Sequence, residues 1–255
     1  MHTIWSGNIT FGLVTIPIRL FSGASSHRIG FDLLRENDQC PIKYVKVCEK
    51  DGKEVPWQNI VKGYEIEDNY YVTLKEEDFE NAAAEESNNM EILDFVNLSE
   101  IHPRYFQKPY LIKPEKGAEK SYNLLRKSIL KSKFVGITKF VIRNKEHLGA
   151  LIADEQILYL IQMRFHHDLR DPEKLSLPDQ EKPAKKETDM AMKLIEQMKT
   201  EFKPQKYKDT YQDKLKKSIE KKAKNEKIKP AGKGKKKSVT SNLMKQLKES
   251  LEKTN

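Results

Sequence analysis

The sequence predicts a mixed, mainly β fold: a β-barrel-like core, then a helical C-terminal region, then a basic tail. Three observations predict it. Short alternating apolar runs recur through the first two thirds of the chain, with one clear amphipathic helix among them. After about Asp168 the composition turns to prolines and helical periodicity. Near the end it becomes a lysine run containing Gly232 and Gly234.

The opening reads as β. Ile9, Phe11 and Leu13 alternate, as do Val14, Ile16, Ile18 and Leu20. Pro17 lacks a donor and suggests an edge position or a break. Ile60-Val61 and Tyr70 to Leu74 read as further strands, and Asp51-Gly52 as a turn. Met90 to Leu98 and Tyr110-Leu111-Ile112 read as two more. Glu119 to Ser132 is helical, with Tyr122, Leu125 and Ile129 on one face. A meander follows: Phe134 to Ile142, the turn Asn144 to His147, Leu148 to Ala153, and Ile157 to Met163.

Pro172, Pro178 and Pro183 mark an irregular link. Glu187 to Phe202 forms a helix with Ala191, Leu194, Ile195, Met198 and Phe202 on one face. Tyr207 to Lys224 forms a second, with Tyr211, Leu215 and Ile219 at four-residue steps. Val239 to Leu251 is a short amphipathic helix.

The 255 residues suffice for one sizeable domain plus a tail, with 37% hydrophobic and 33% charged residues. The net charge of +9 is unevenly placed. Residues 63–100 carry −11, residues 101–145 carry +10, and residues 205–255 carry +11. Residues 1–204 together carry −2. A charge run is ordinarily a solvated face, but two basic blocks of this size favour a polyanion such as DNA. The first block is expected to mark one face of the core.

No run of 18 apolar residues exists, and the N-terminus is too polar for a signal peptide. Two cysteines, Cys40 and Cys48, make no disulfide framework, so an intracellular protein is expected. There is no phosphate-cradling glycine loop, no paired-histidine zinc motif and no Cys-x-x-Cys. His166-His167 lacks a third ligand nearby. The carboxylates Glu76, Glu77, Asp78, Glu85 and Glu86 lie in a polar stretch that reads as an exposed loop or helix. No catalytic residue, metal or cofactor is expected.

The run Ile4 to Leu20 closely resembles the start of bacterial Ku proteins. So do Gly52 to Pro56 and Ile60 to Glu65. Lys108-Pro109-Tyr110-Leu111 and Lys120 to Leu125 resemble the family's central segment. Phe202-Lys203-Pro204 and Tyr207-Lys208-Asp209 match the end of its core. One departure is His166-His167, where relatives tend to carry acidic residues.

The resemblance implies a non-catalytic binder of double-stranded DNA ends in non-homologous end joining double-strand break repair. It implies a β-barrel with an extended bridge, a homodimer closing into a ring, and recruitment of DNA ligase D. The protein would be cytoplasmic and nucleoid-associated. The core is then expected at 1–168 with the bridge at about 25–62, a helical subregion at 169–228, and a linker with a terminal helix at 229–255. Arg28, Lys43 and Lys46 are the expected duplex contacts on the bridge. From the basic block come Lys108, Lys113, Lys116, Arg126, Lys131 and Lys133. In the tail, Lys221, Lys222, Lys224, Lys235, Lys236 and Lys237 would add nonspecific DNA affinity. Leu243, Leu247 and Leu251 would dock on a partner, with packing onto the protein's own core as the plainer reading. Two other functions remain open. One is a lyase at abasic sites acting through a lysine Schiff base, an activity associated with some Ku proteins. The other is nucleoid-type architectural DNA binding.

Overall fold

A computed structural model describes residues 1–25, 29–83, 88–143, 145–177, 182–224 and 243–254. They divide into two compact units, 1–172 and 173–255.

The first unit is built on a closed barrel of seven strands: β1 (Thr3–Phe11), β2 (Val14–Ser22), β5 (Asn89–Asn97), β6 (Phe106–Pro114), β7 (Phe134–Ile142), β8 (Lys145–Ala153) and β9 (Leu158–Met163). Their order is β1-β2-β6-β9-β8-β7-β5. A short parallel pairing of β1 with β5, Asn8 to Thr10 against Asn89 to Glu91, closes the ring of strands. The strands β3 (Lys62–Glu67) and β4 (Tyr70–Leu74) form a separate two-stranded hairpin. The inward positions alternate as a half-buried strand requires: Ile16, Ile18 and Leu20 of β2 are buried, and so are Leu158 and Leu160 of β9.

Pro17 lies just before the β2–β6 ladder, a local edge of β2 as its missing donor suggested. It lies opposite Asn8, whose N–H is spent on Asn88 O, and the β2–β6 ladder begins one residue later at Ile18. The missing donor therefore falls where the ladder has no bond to lose, and Pro17 O accepts from Glu115 N. The strand expected at Ile60-Val61 starts at Lys62 instead. A single helical turn at Trp57–Asn59 precedes it, and Ile60 N–H still closes onto Trp57 O. The expected four-residue turn at 144–147 is tighter. Ile142 pairs with Lys145, and Arg143 takes a positive φ of 53°.

Two helices of the first unit serve different ends. The short α1 (Glu76–Ala83) opens with Glu76, Glu77 and Asp78, which suit the positive end of a helix dipole. The longer α2 (Glu119–Ser132) lies across one end of the barrel and buries Tyr122, Leu125 and Ile129 in the common core. It stops at Lys133, which takes a left-handed φ of 62° and returns its N–H to Ile129 O. The Tyr122 hydroxyl donates to Ile112 O at 3.0 Å and accepts from Leu158 N at 2.8 Å. Ile112 and Leu158 are the last paired residues of β6 and β9. The phenol thus bridges the two strands where their ladder ends, and burial pushes its pKa up.

The second unit holds α3 (Lys185–Met198), α4 (Thr210–Ala223) and α5 (Leu243–Thr254). The first of these ends four residues earlier than expected, with Lys199 already extended and the Phe202 ring stacked on Tyr207 at 5.8 Å. Asp209 caps α4 by accepting from Tyr211 N and Gln212 N.

Tyr122→Phe should remove the bridge and leave two buried backbone groups short of a partner. The expected loss is about 1–3 kcal/mol of unfolding free energy, read by thermal or denaturant melting. An unchanged melting curve would show that the bridge contributes nothing.

Candidate nucleic-acid interface

The two ends of the barrel differ in what they carry. The strands β2, β7 and β9 finish, and β6 and β8 begin, at one end, because Ser22 pairs with Tyr110, Phe106 with Met163, and Ile142 with Lys145. From this end the chain leaves as a long arm, residues 23–61. The root of the arm is pinned by Gly23, whose N–H donates to Pro109 O. A Cβ at Gly23 would lie 2.9 Å from that same oxygen, so the approach requires glycine. At the opposite end lie α2, the β6–α2 loop and the start of β7.

From residue 29 onward the arm's backbone is held by local devices. Leu34 bridges to Pro41 and Val47 to Glu54, with a turn at Gly52 whose φ is +67°. No residue from 29 to 75 is buried. Tyr44 is 85% exposed and Trp57 77%. Lys43 is exposed, and the Lys46 ammonium lies 3.9 Å from the centre of the Trp57 ring. Lys62, in contrast, is spent on Glu76 at 3.4 Å and on the Phe79 ring.

The basic block at 101–145 does not form one face, contrary to expectation. Antiparallel strands bring consecutive turns to alternate ends, and the block runs through β6, α2 and β7. Lys108 sits at the arm end, 5.1 Å from the Tyr110 ring. Lys113 lies five residues further along β6, about 17 Å away at ~3.4 Å per residue. Lys116, Lys131 and Lys133 share the end with Lys113, and all of these lysines are exposed.

Arg126 is a correction. It is only 9% exposed, and its guanidinium donates to Asp154 O at 2.9 Å and to Glu155 O. It ties α2 to the β8–β9 turn and has no free face for a phosphate. The same turn is braced by Asp154, whose carboxyl is held below the usual range by the N–H groups of Ile157 and Gln156. The sequence shows Arg126 beside Leu125 but cannot show that the buried stripe is wide enough to include both.

Two basic residues at the arm end were not singled out from the sequence: Arg143 and Lys145, flanking the β7–β8 turn. A basic pair in a tight turn between two apolar runs is the signal that could have found them. Arg143 lies close enough to Tyr110 for its charge to oppose the upward pKa shift that burial gives the phenol. Beneath them Gln162 links Tyr110, Gln107 and His147 in one polar network. Burial, with the Lys145 charge second, holds His147 below the usual histidine range.

Lys221, Lys222 and Lys224 are exposed at the end of α4. Arg28, Lys235, Lys236 and Lys237 lie outside the described residues. Leu243 is 52% exposed, whereas Leu247 and Leu251 are half-buried. Cys40 and Cys48 are free thiols. His166 hydrogen-bonds the Tyr105 hydroxyl, and His167 stacks on Phe165. Among the described residues no three acidic, histidine or cysteine side chains are placed to hold a metal. Among the same residues no helix is long and apolar enough to cross a membrane.

A family profile described as "Ku: Ku70/Ku80 beta-barrel domain" matches residues 10–190. The chain belongs to the Ku family. It is similar to proteins named "Non-homologous end joining protein Ku" from several organisms. That of Opitutus terrae is 42% identical over 234 residues, covering 91% of this chain and 82% of that protein. That of Archaeoglobus fulgidus is 39% identical over 223 residues, covering 86% and 87%. That of Bacillus subtilis is 37% identical over 217 residues, covering 84% and 70%. The profile match takes in β2 to β9, the arm and α2, whereas most of β1 and the lysines at the end of α4 lie outside it.

Arg126→Met should lower stability by about 1–3 kcal/mol, since two carbonyls lose their donor, and should leave the nucleic-acid affinity of the folded protein unchanged. Arg143→Glu with Lys145→Glu should do the reverse. Duplex affinity should fall about tenfold for every sequence, with the melting temperature unchanged. Titrations of two unrelated duplexes alongside thermal melts check both.

Proposed function

We propose that this protein binds double-stranded DNA ends without regard to sequence, as a homodimeric ring, in non-homologous end joining. The observation that carries the reading is the arm at 23–61. It joins exposed lysines to an unburied apolar surface, on a barrel of the Ku family. The relatives' name places those proteins in end joining.

Each half of the arm's composition has a physical use. Lys43 and Lys46 offer charge to phosphates, which are the same at every base pair, and a broken end has no fixed sequence to read. The apolar half, Phe31, Leu33, Tyr44, Val45, Trp57 and Val61, is an interaction surface that water covers poorly. A second copy of the chain would cover it and close the arm around a duplex. The acidic stretch at 63–100 would repel DNA and so help orient it.

DNA ligase D is the partner we assign to the C-terminal helix, through Leu243, Leu247 and Leu251, as the family resemblance implies. Lys221, Lys222 and Lys224 would strengthen the hold on DNA near the junction. The role is that of a scaffold rather than an enzyme. Borohydride trapping of abasic DNA would reveal a lysine Schiff base if a lyase activity were present.

A competition between linear and closed-circular DNA of equal mass tests the end-binding reading. The linear form should compete far better, and equal competition would favour nucleoid-type binding. If six to ten phosphates are contacted, affinity should fall about 10³–10⁵-fold from 50 to 200 mM salt. A flat response would sink the phosphate contacts.

Tyr44→Glu with Trp57→Glu should convert a dimer into monomers in sedimentation experiments while the barrel stays folded. A double variant that remains dimeric would place the subunit contact elsewhere.

A further inference from the structure

We propose that α5 is a self-docked latch: in the free protein it covers the apolar stripe of α3, and it must leave that stripe to meet another protein. The inference rests on the reading of α5 as a docking helix.

Within the second unit, α5 lies against α3. On α3 the half-buried residues are Glu187, Met190, Ala191 and Leu194, spaced i, i+3, i+4, i+7. On α5 they are Met244, Leu247 and Leu251, spaced i, i+3, i+7. Two of the three leucines assigned to a partner are therefore already in use. A helix of 12 residues is marginal alone in water, so contact with α3 also keeps α5 folded.

The fit is loose, as a displaceable contact requires. No side chain described on either helix is buried. An open cavity of about 490 Å³ remains where Lys193, Glu196 and Gln197 meet Leu251 and Glu252. Met192, Ile195 and Met198 of α3 stay at least 60% exposed. A partner offering a deeper groove would win Leu247 and Leu251 from this surface. Until then the apparent affinity for that partner is reduced by the fraction of molecules in which α5 is free.

The test uses the full chain. Leu194→Glu alters α3 alone, and Ala191→Glu serves as a second variant; glutamate is a good helix former, so α3 should persist in both. Amide hydrogen exchange in α5 should rise about tenfold in each variant, and affinity for DNA ligase D should rise about threefold. Unchanged exchange in α5, or unchanged ligase affinity once exchange has risen, overturns the latch. Leu243→Glu tests the docking reading separately, because Leu243 is more than half exposed in the latched form. It should weaken ligase binding without altering α5 exchange. If ligase binding is unaffected by Leu243→Glu, the docking reading fails, while the exchange experiment still decides whether α5 sits on α3.

Discussion

Everything in the first unit depends on the closure of the barrel by the parallel contact of β1 with β5. Only three residue pairs make it, Asn8 to Thr10 with Asn89 to Glu91. Because these strands are parallel, the chain must cross the barrel between them, and β2 makes that crossing. The segment from Ser22 to Asn89, which carries the arm, the β3–β4 hairpin and α1, then leaves and rejoins the barrel at the arm end. A closed sheet also leaves few other routes for the chain, so α2 occupies the opposite end and seals the core with Tyr122, Leu125 and Ile129.

The same closure governs the electrostatics. Net charge along the sequence suggested one basic face, but the topology deals the lysines to two ends. Lys108, Arg143 and Lys145 stand near the root of the arm, and Lys113, Lys116, Lys131 and Lys133 stand by α2. Charge counted along a chain reports composition. Charge on a surface depends on which strand ends are neighbours, and Lys108 and Lys113 show that five residues of one strand can separate the two.

Much of the fold was legible for an identifiable reason. The meander from Phe134 to Met163 shows as short apolar runs, although β7 and β8 bury consecutive residues rather than alternating, and α2 shows its stripe because one face meets the core. The barrel order was not legible. The β1–β5 pairing joins residues about eighty positions apart, and no local pattern encodes it. Arg126 misled for a related reason: its acceptors are carbonyls of the β8–β9 turn, nearly thirty residues away, and a guanidinium bound to backbone looks in sequence like any surface cation. The lysines of the arm were legible as charge. Their setting beside bare aromatic rings, as with Lys46 on Trp57, was not.

Gly23 has a consequence for how this surface can vary. The departure of the arm is set by the missing side chain of one residue and by one backbone hydrogen bond to Pro109. The cations further out therefore carry none of the folding requirement. They can drift in position, trade lysine for arginine or shift by a residue while the arm leaves the barrel at the same angle. A surface that addresses a uniform polymer tolerates such drift, so sequence turnover should concentrate in the arm's charges and spare its glycine hinge.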